Sequence, residues 1–138
     1  MNGPQLATAL TAIRLSLHVL AATVWVGGQI TVAGLLPTLR KLGEDAPRKA
    51  ARALGRMQWP AYGLLLITGI WNVAADHVNK AGGTWKIVLA VKIAVVLVAG
   101  GAAFLHQRSK SKAGLAIGGA VTAIASVTAL VLGVLLAG

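Results

Sequence analysis

The sequence predicts an all-α integral membrane protein, a four-helix transmembrane bundle with both termini outside. Three observations carry that expectation. Of the 138 residues, 57% are hydrophobic and 12% are charged, where a soluble domain carries about a quarter charged residues. The mean hydropathy is +0.77. The apolar residues gather in four runs, and nine of the thirteen Lys and Arg lie in two of the three connecting loops. A single transmembrane domain over residues 1–138 follows.

The first span is read at 15–36, 22 residues free of charge with His18 neutral, and is expected to end at Pro37. Its flanks favour a retained span over a cleaved signal peptide, because no basic n-region precedes it. The loop 37–56 follows. Asp45 before Pro47 reads as a helix start. Arg48, Arg52 and Arg56 recur every four residues, which predicts a basic amphipathic helix that can run on into span 2, with Pro60 bending the junction. Span 2 is read at 57–75 and closes on a polar segment with Asn72, Asp76 and His77. Gly82 and Gly83 mark a turn. Span 3 is read at 87–105, introduced by Trp85 and Lys86 and containing Lys92. Span 4 is read at 113–137, where Gly114, Gly118, Thr122, Ser126 and Gly133 lie near one side and suit helix packing. Each run suffices for a ~30 Å hydrocarbon core.

The loops 37–56 and 106–112 hold Arg40, Lys41, Arg48, Lys49, Arg52, Arg56, Arg108, Lys110 and Lys112, against Arg14, Lys80 and Lys86 on the other side. The positive-inside rule puts the basic loops in the cytoplasm, and in a bacterium this means the cytoplasmic (inner) membrane. The net charge of +10 is thereby explained by topology, with no need for a nucleic-acid partner. Arg40, Lys41, Arg48, Lys49, Arg52 and Arg56 are expected to meet anionic lipids.

Several chemistries are excluded. With no cysteine there is no disulfide, thiolate metal site or cysteine nucleophile. There is no nucleophile with a paired base, no carboxylate pair and no phosphate-binding glycine loop, so catalysis by side chains alone is not expected. Any redox chemistry belongs to a cofactor.

The polar residues inside the spans are the candidates. His18, Trp25 and Gln29 fall at i, i+7 and i+11, one face of a helix, with Gly27 and Gly28 beside it. Lipid offers these groups no hydrogen-bond partner, so they are expected to face protein, water or a ligand. On the predicted topology His18, Asp76, His77 and Lys92 all lie in the outer half. His18 is either an interfacial histidine bonded to a carbonyl or a ligand. Asp76 and His77 are either a wet loop pair or co-ligands beside His18, since imidazole and carboxylate suit Cu(II) or Zn(II). Lys92 either snorkels outward, serves as a counter-charge in a polar interior or takes part in proton transfer, at an insertion cost of ~2.5–3.5 kcal/mol if unpaired. Trp25 and Trp71 either pack or wall a pocket.

The blocks LHVLAATVWVGG in span 1, LLLITGIW in span 2 and WKIVLAVKIAVVLVAGGAAFLHQR in span 3 resemble the copper resistance protein D (CopD) family and, more distantly, the HemJ-type membrane protoporphyrinogen oxidase family. The resemblance is carried by His18, Trp25, Gly27, Gly28, Thr68, Gly69 and Lys92, over about residues 15–108. It implies a bacterial inner-membrane protein linked to copper handling, and the leading expectation is a copper ion bound or imported through His18 as primary ligand, with His77 and Asp76 as co-ligands and Lys92 as counter-charge or proton relay. Through the porphyrin-enzyme relatives it implies haem or porphyrin binding in the bundle, and the second expectation is haem b with His18 as axial ligand and Lys92 near a propionate, in a site that includes Trp25 and Gln29. A third reading is an accessory subunit of a larger membrane complex, or a homo-oligomer, with no chemistry of its own.

Overall fold

The computed structural model describes residues 3–138, all of whose regular structure is helical. Helix α1 spans Ala9–Leu42, α2 Ala46–Ala75, α3 Gly83–Arg108 and α4 Lys112–Ala137, with a 3-10 turn at Val78–Lys80 between α2 and α3. Three helices, α1, α3 and α4, are long and apolar enough to cross a membrane. At 1.5 Å per residue, a 26-residue helix such as α3 or α4 is about 39 Å long. This is therefore a helical membrane protein. α2 is less apolar: Arg48, Lys49, Arg52 and Arg56 fill its N-terminal part, and Gln58 and Asn72 lie in the apolar run that follows.

The helix ends follow from local chemistry. Thr8 caps α1 by accepting from the Thr11 N–H at 3.3 Å, and Ser111 caps α4 by accepting from the Gly114 N–H at 3.0 Å. Pro47 sits in the first turn of α2, where its missing N–H costs nothing. α1 does not stop at Pro37. It runs on to Leu42, and Gly43 then turns the chain at φ 145°, a conformation that favours glycine. Pro37 removes only the bond to the Ala33 carbonyl, and both residues are exposed. α2 likewise continues through Pro60, so the basic amphipathic segment and the second apolar run form one helix.

α1 packs along α2, α3 along α4, and α1 also meets α4. Side chains tie α2 to α3: the Tyr62 hydroxyl donates to the Val96 carbonyl at 2.9 Å, and Trp59 Nε1 to Gln107 Oε1 at 2.9 Å. The core is built largely of alanine, with Ala21, Ala61, Ala99, Ala103, Ala125 and Ala129 buried, as small-residue packing in lipid requires. Its bulk comes from one aromatic cluster. Trp25, buried on α1, lies 5.7 Å from Trp59 and 4.7 Å from Tyr62 by ring centroids. Gly100 on α3 faces this cluster, and any Cβ there would overlap the Tyr62 ring and hydroxyl. The large aliphatic side chains, by contrast, are mostly exposed, Leu10, Ile30, Ile67, Ile93 and Val134 among them. That is an outward face suited to hydrocarbon.

Candidate functional site

Two turns outward from Trp25 on α1, the four helices bring polar and small residues to one level. His18 belongs to α1, and its Nδ1 lies 2.7 Å from the Thr68 hydroxyl on α2. Thr68 is 1% exposed, and its hydroxyl lies 2.6 Å from the Leu64 carbonyl and 3.3 Å from that of Leu65. A threonine hydroxyl has one proton, and the carbonyl one turn back accepts it. His18 must therefore donate from Nδ1. The hydrogen-bond network thus assigns the tautomer, and in the neutral ring Nε2 carries the lone pair.

Lys92 is the cation of α3 within its apolar run. Its ammonium lies against Gly133 of α4, where a Cβ would sit 3.1 Å from Nζ. Gly69 of α2 completes the level, with room for a Cβ 3.8 Å from His18 Cε1. His18 and Lys92 are both half-buried. The ion pair among the described residues is Arg14–Asp76, so Lys92 has no carboxylate partner there.

Comparison with known proteins adds nothing to this geometry. No family model matches the chain, and no curated protein or solved structure matches it either.

Below the His18 level, Trp25 Nε1 donates to Ser126 Oγ at 2.9 Å. Gln29 Nε2 donates to the same oxygen at 3.2 Å and to the Trp25 carbonyl at 3.0 Å. Gln58 Nε2, from α2, donates to the Trp25 carbonyl at 2.9 Å. So Trp25 and Gln29 do share the inward face with His18, but their polar groups are engaged with Ser126 and the backbone. They form a floor two to three turns below the imidazole. Trp71, the other deep tryptophan of the sequence reading, is half-buried and lies outside this cluster.

Above that level lies a feature the sequence reading did not single out. Arg14, one turn outward from His18 on the same face, is 6% exposed. Its Nη1 donates to the Asn72 carbonyl at 3.3 Å and to Asp76 Oδ1 at 3.2 Å, and its Nη2 to Asp76 Oδ1 at 3.2 Å. Asp76, expected as a co-ligand, is thereby committed to a guanidinium. His77 is exposed on the turn after α2 with φ 48°, a left-handed conformation. Among the described residues no three His, Asp or Glu side chains form a group that could hold a metal ion. His106, at the opposite end of the bundle, donates from Nδ1 to the Leu115 carbonyl at 2.7 Å and packs on Gly118 and Gly119.

Two shallow grooves along α1 do not belong to this site. One, about 400 Å³, is lined by Leu15, Ser16, Val19, Leu20 and Thr23. The other, about 330 Å³, is lined by Ala12, Ile13, Ser16, Leu17 and Leu20. Both are open hollows on the side of α1 turned away from His18.

Two donor sets can now be weighed. A tetrapyrrole asks for one imidazole with a free nitrogen lone pair and a cation for its carboxylates, and His18 with Lys92 is that pair. A copper ion asks for several neutral or anionic ligands. Here the second charge at the level is an ammonium, which repels a cation.

Proposed function

We propose that this chain is a four-span protein of the bacterial inner membrane, with both termini outside, that binds a tetrapyrrole, haem b or a porphyrin, in the outer half of its bundle. The observation that carries this reading is the His18–Thr68 hydrogen bond. It leaves Nε2 as a free lone pair, while Lys92 supplies an ammonium with no carboxylate partner among the described residues. His18 would supply the axial bond, Lys92 would hold a propionate, and Thr68 would fix the imidazole by accepting its other N–H, as the hydrogen-bond partners of ligating histidines do. Bound haem supplies one-electron redox chemistry. The resemblance to the HemJ-type family points the same way.

Four spans follow if α2 crosses beside α1. Its polar groups bond inward, Gln58 to the Trp25 carbonyl and Tyr62 to the Val96 carbonyl, so its low hydropathy reflects the interior and not the lipid face. The nine Lys and Arg in loops 37–56 and 106–112 support N-out and C-out.

Titrating the purified chain with haem and recording the Soret band tests the reading. Stoichiometric binding that His18→Ala abolishes supports it. Copper is the second reading, favoured by the resemblance to the CopD family and by the same Nε2 lone pair. Stoichiometric copper lost in His18→Ala, without haem binding, would establish copper in place of the tetrapyrrole.

A further inference from the structure

The Arg14–Asp76 pair is built in an unequal way. Arg14 is 6% exposed, while the Asp76 side chain is 45% exposed. Both Arg14 nitrogens converge on a single oxygen, Oδ1, at 3.2 Å, so the pair lacks the two parallel bonds of a fork-to-fork arrangement. Beside it, Asn72 Oδ1 is buried with no hydrogen-bond partner. The buried cation is thus held by a half-solvated acid that can turn to water, in a setting where the polar groups are incompletely matched.

The position gives the pair its meaning. Arg14 lies one turn outward from His18 on the same face of α1, and Asn72 and Asp76 lie one and two turns outward from Thr68 on α2. At 1.5 Å per residue, the guanidinium level is about 6 Å outward from the imidazole level. Lys92 of α3 is a second cation of the bundle, its Nζ placed against Gly133 of α4. Arg14 and Lys92 thus give the bundle two cations away from its basic loops, and the one acid of the sequence outside loop 37–56 is Asp76. Exposed Lys80 and Lys86 add positive charge at the same end, a field that draws an anion inward.

We propose that the site takes an amphipathic ligand bearing two carboxylates, and that Arg14 binds the second of them by exchanging Asp76 for the ligand's acid. Lys92 takes the first. In the free protein Asp76 neutralises Arg14 and keeps its burial tolerable, since an unpaired buried charge is costly. On binding, the ligand carboxylate replaces Asp76, whose side chain moves into the water it already half occupies. Arg14 is a specificity residue and Asp76 its internal competitor. This inference rests on the tetrapyrrole reading above and extends it to which acid groups the ligand must carry.

The test titrates the full-length chain in detergent with haem, which has two propionates, and with haem dimethyl ester, which has no free acid. Wild type, Arg14→Gln and Asp76→Asn are compared. A hydrogen-bonded charge pair corresponds to ~10- to 100-fold in affinity. Arg14→Gln is expected to weaken haem by ~10-fold or more and to leave the ester no weaker than in wild type. Asp76→Asn is expected to tighten haem and leave the ester unchanged. Equal haem affinity in Arg14→Gln and wild type overturns the proposal, as does a parallel loss for both ligands, which marks a structural role. Should Arg14→Gln fail to fold, Asp76→Asn decides alone, and weaker or unchanged haem binding in it overturns the exchange. A wild type that binds haem well while these variants behave alike sinks only the Arg14 inference. A wild type that binds neither ligand removes the tetrapyrrole reading and this proposal with it.

Discussion

His18 donates a hydrogen bond from Nδ1 to the hydroxyl of Thr68, a residue 50 positions away on the neighbouring helix. Because Thr68 gives its own proton to the Leu64 carbonyl, the imidazole is held in one tautomer and one orientation. Removing the hydroxyl should release both constraints. Thr68→Val is expected to weaken haem by several-fold and broaden its Soret band, while Thr68→Ser restores wild-type behaviour. The hydrogen bond itself contributes ~0.5–1.5 kcal/mol to stability, so thermal unfolding in detergent should fall only slightly.

Gly133 leaves room for the Lys92 ammonium. A Cβ there would sit 3.1 Å from Nζ, at the flexible end of a long side chain. Gly133→Ala should therefore be tolerated, whereas Gly133→Leu should displace the ammonium. The prediction is lower haem affinity in Gly133→Leu at nearly unchanged melting temperature, with the dimethyl ester affected less than haem.

Gly100 is the sharper steric case. A methyl group there would overlap the Tyr62 ring and hydroxyl, and overpacking of this kind costs ~1–3 kcal/mol. Gly100→Ala should lower the detergent melting temperature clearly. Tyr62→Ala in the same chain should recover part of the loss by opening the space, although it forfeits the bond to the Val96 carbonyl.

The topology has its own test, helped by the absence of native cysteine. Lys80→Cys is expected to react with an impermeant maleimide in intact cells. Lys110→Cys should react only after permeabilisation. The reverse pattern would invert the bundle and place the His18 level on the cytoplasmic side.

Much of the architecture was legible because membrane helices carry it in local pattern. The i, i+7, i+11 spacing of His18, Trp25 and Gln29 gave their shared inward face, and the four-residue recurrence of Arg48, Arg52 and Arg56 with Pro47 marked the start of α2. Helix ends were less legible. The first span, read as 15–36, is the middle of a helix running Ala9–Leu42. Those extra turns bring Arg14 into the bundle, one turn from His18, where it takes up Asp76. The signal was the four-residue spacing of Arg14 and His18, masked by reading Arg14 as an outer-loop charge. The partnerships of Thr68 with His18 and of Ser126 with Trp25 and Gln29 depend on how α2 and α4 are rotated against α1. Sequence spacing within one helix does not encode that rotation.

The most direct test of the central claim is the absorption spectrum of the purified chain reconstituted with haem, recorded for wild type and His18→Ala and paired with elemental analysis. A tetrapyrrole site centred on His18 predicts one haem per chain with a sharp Soret band, lost in the variant. No haem bound by wild type, or an identical spectrum in His18→Ala, would contradict it.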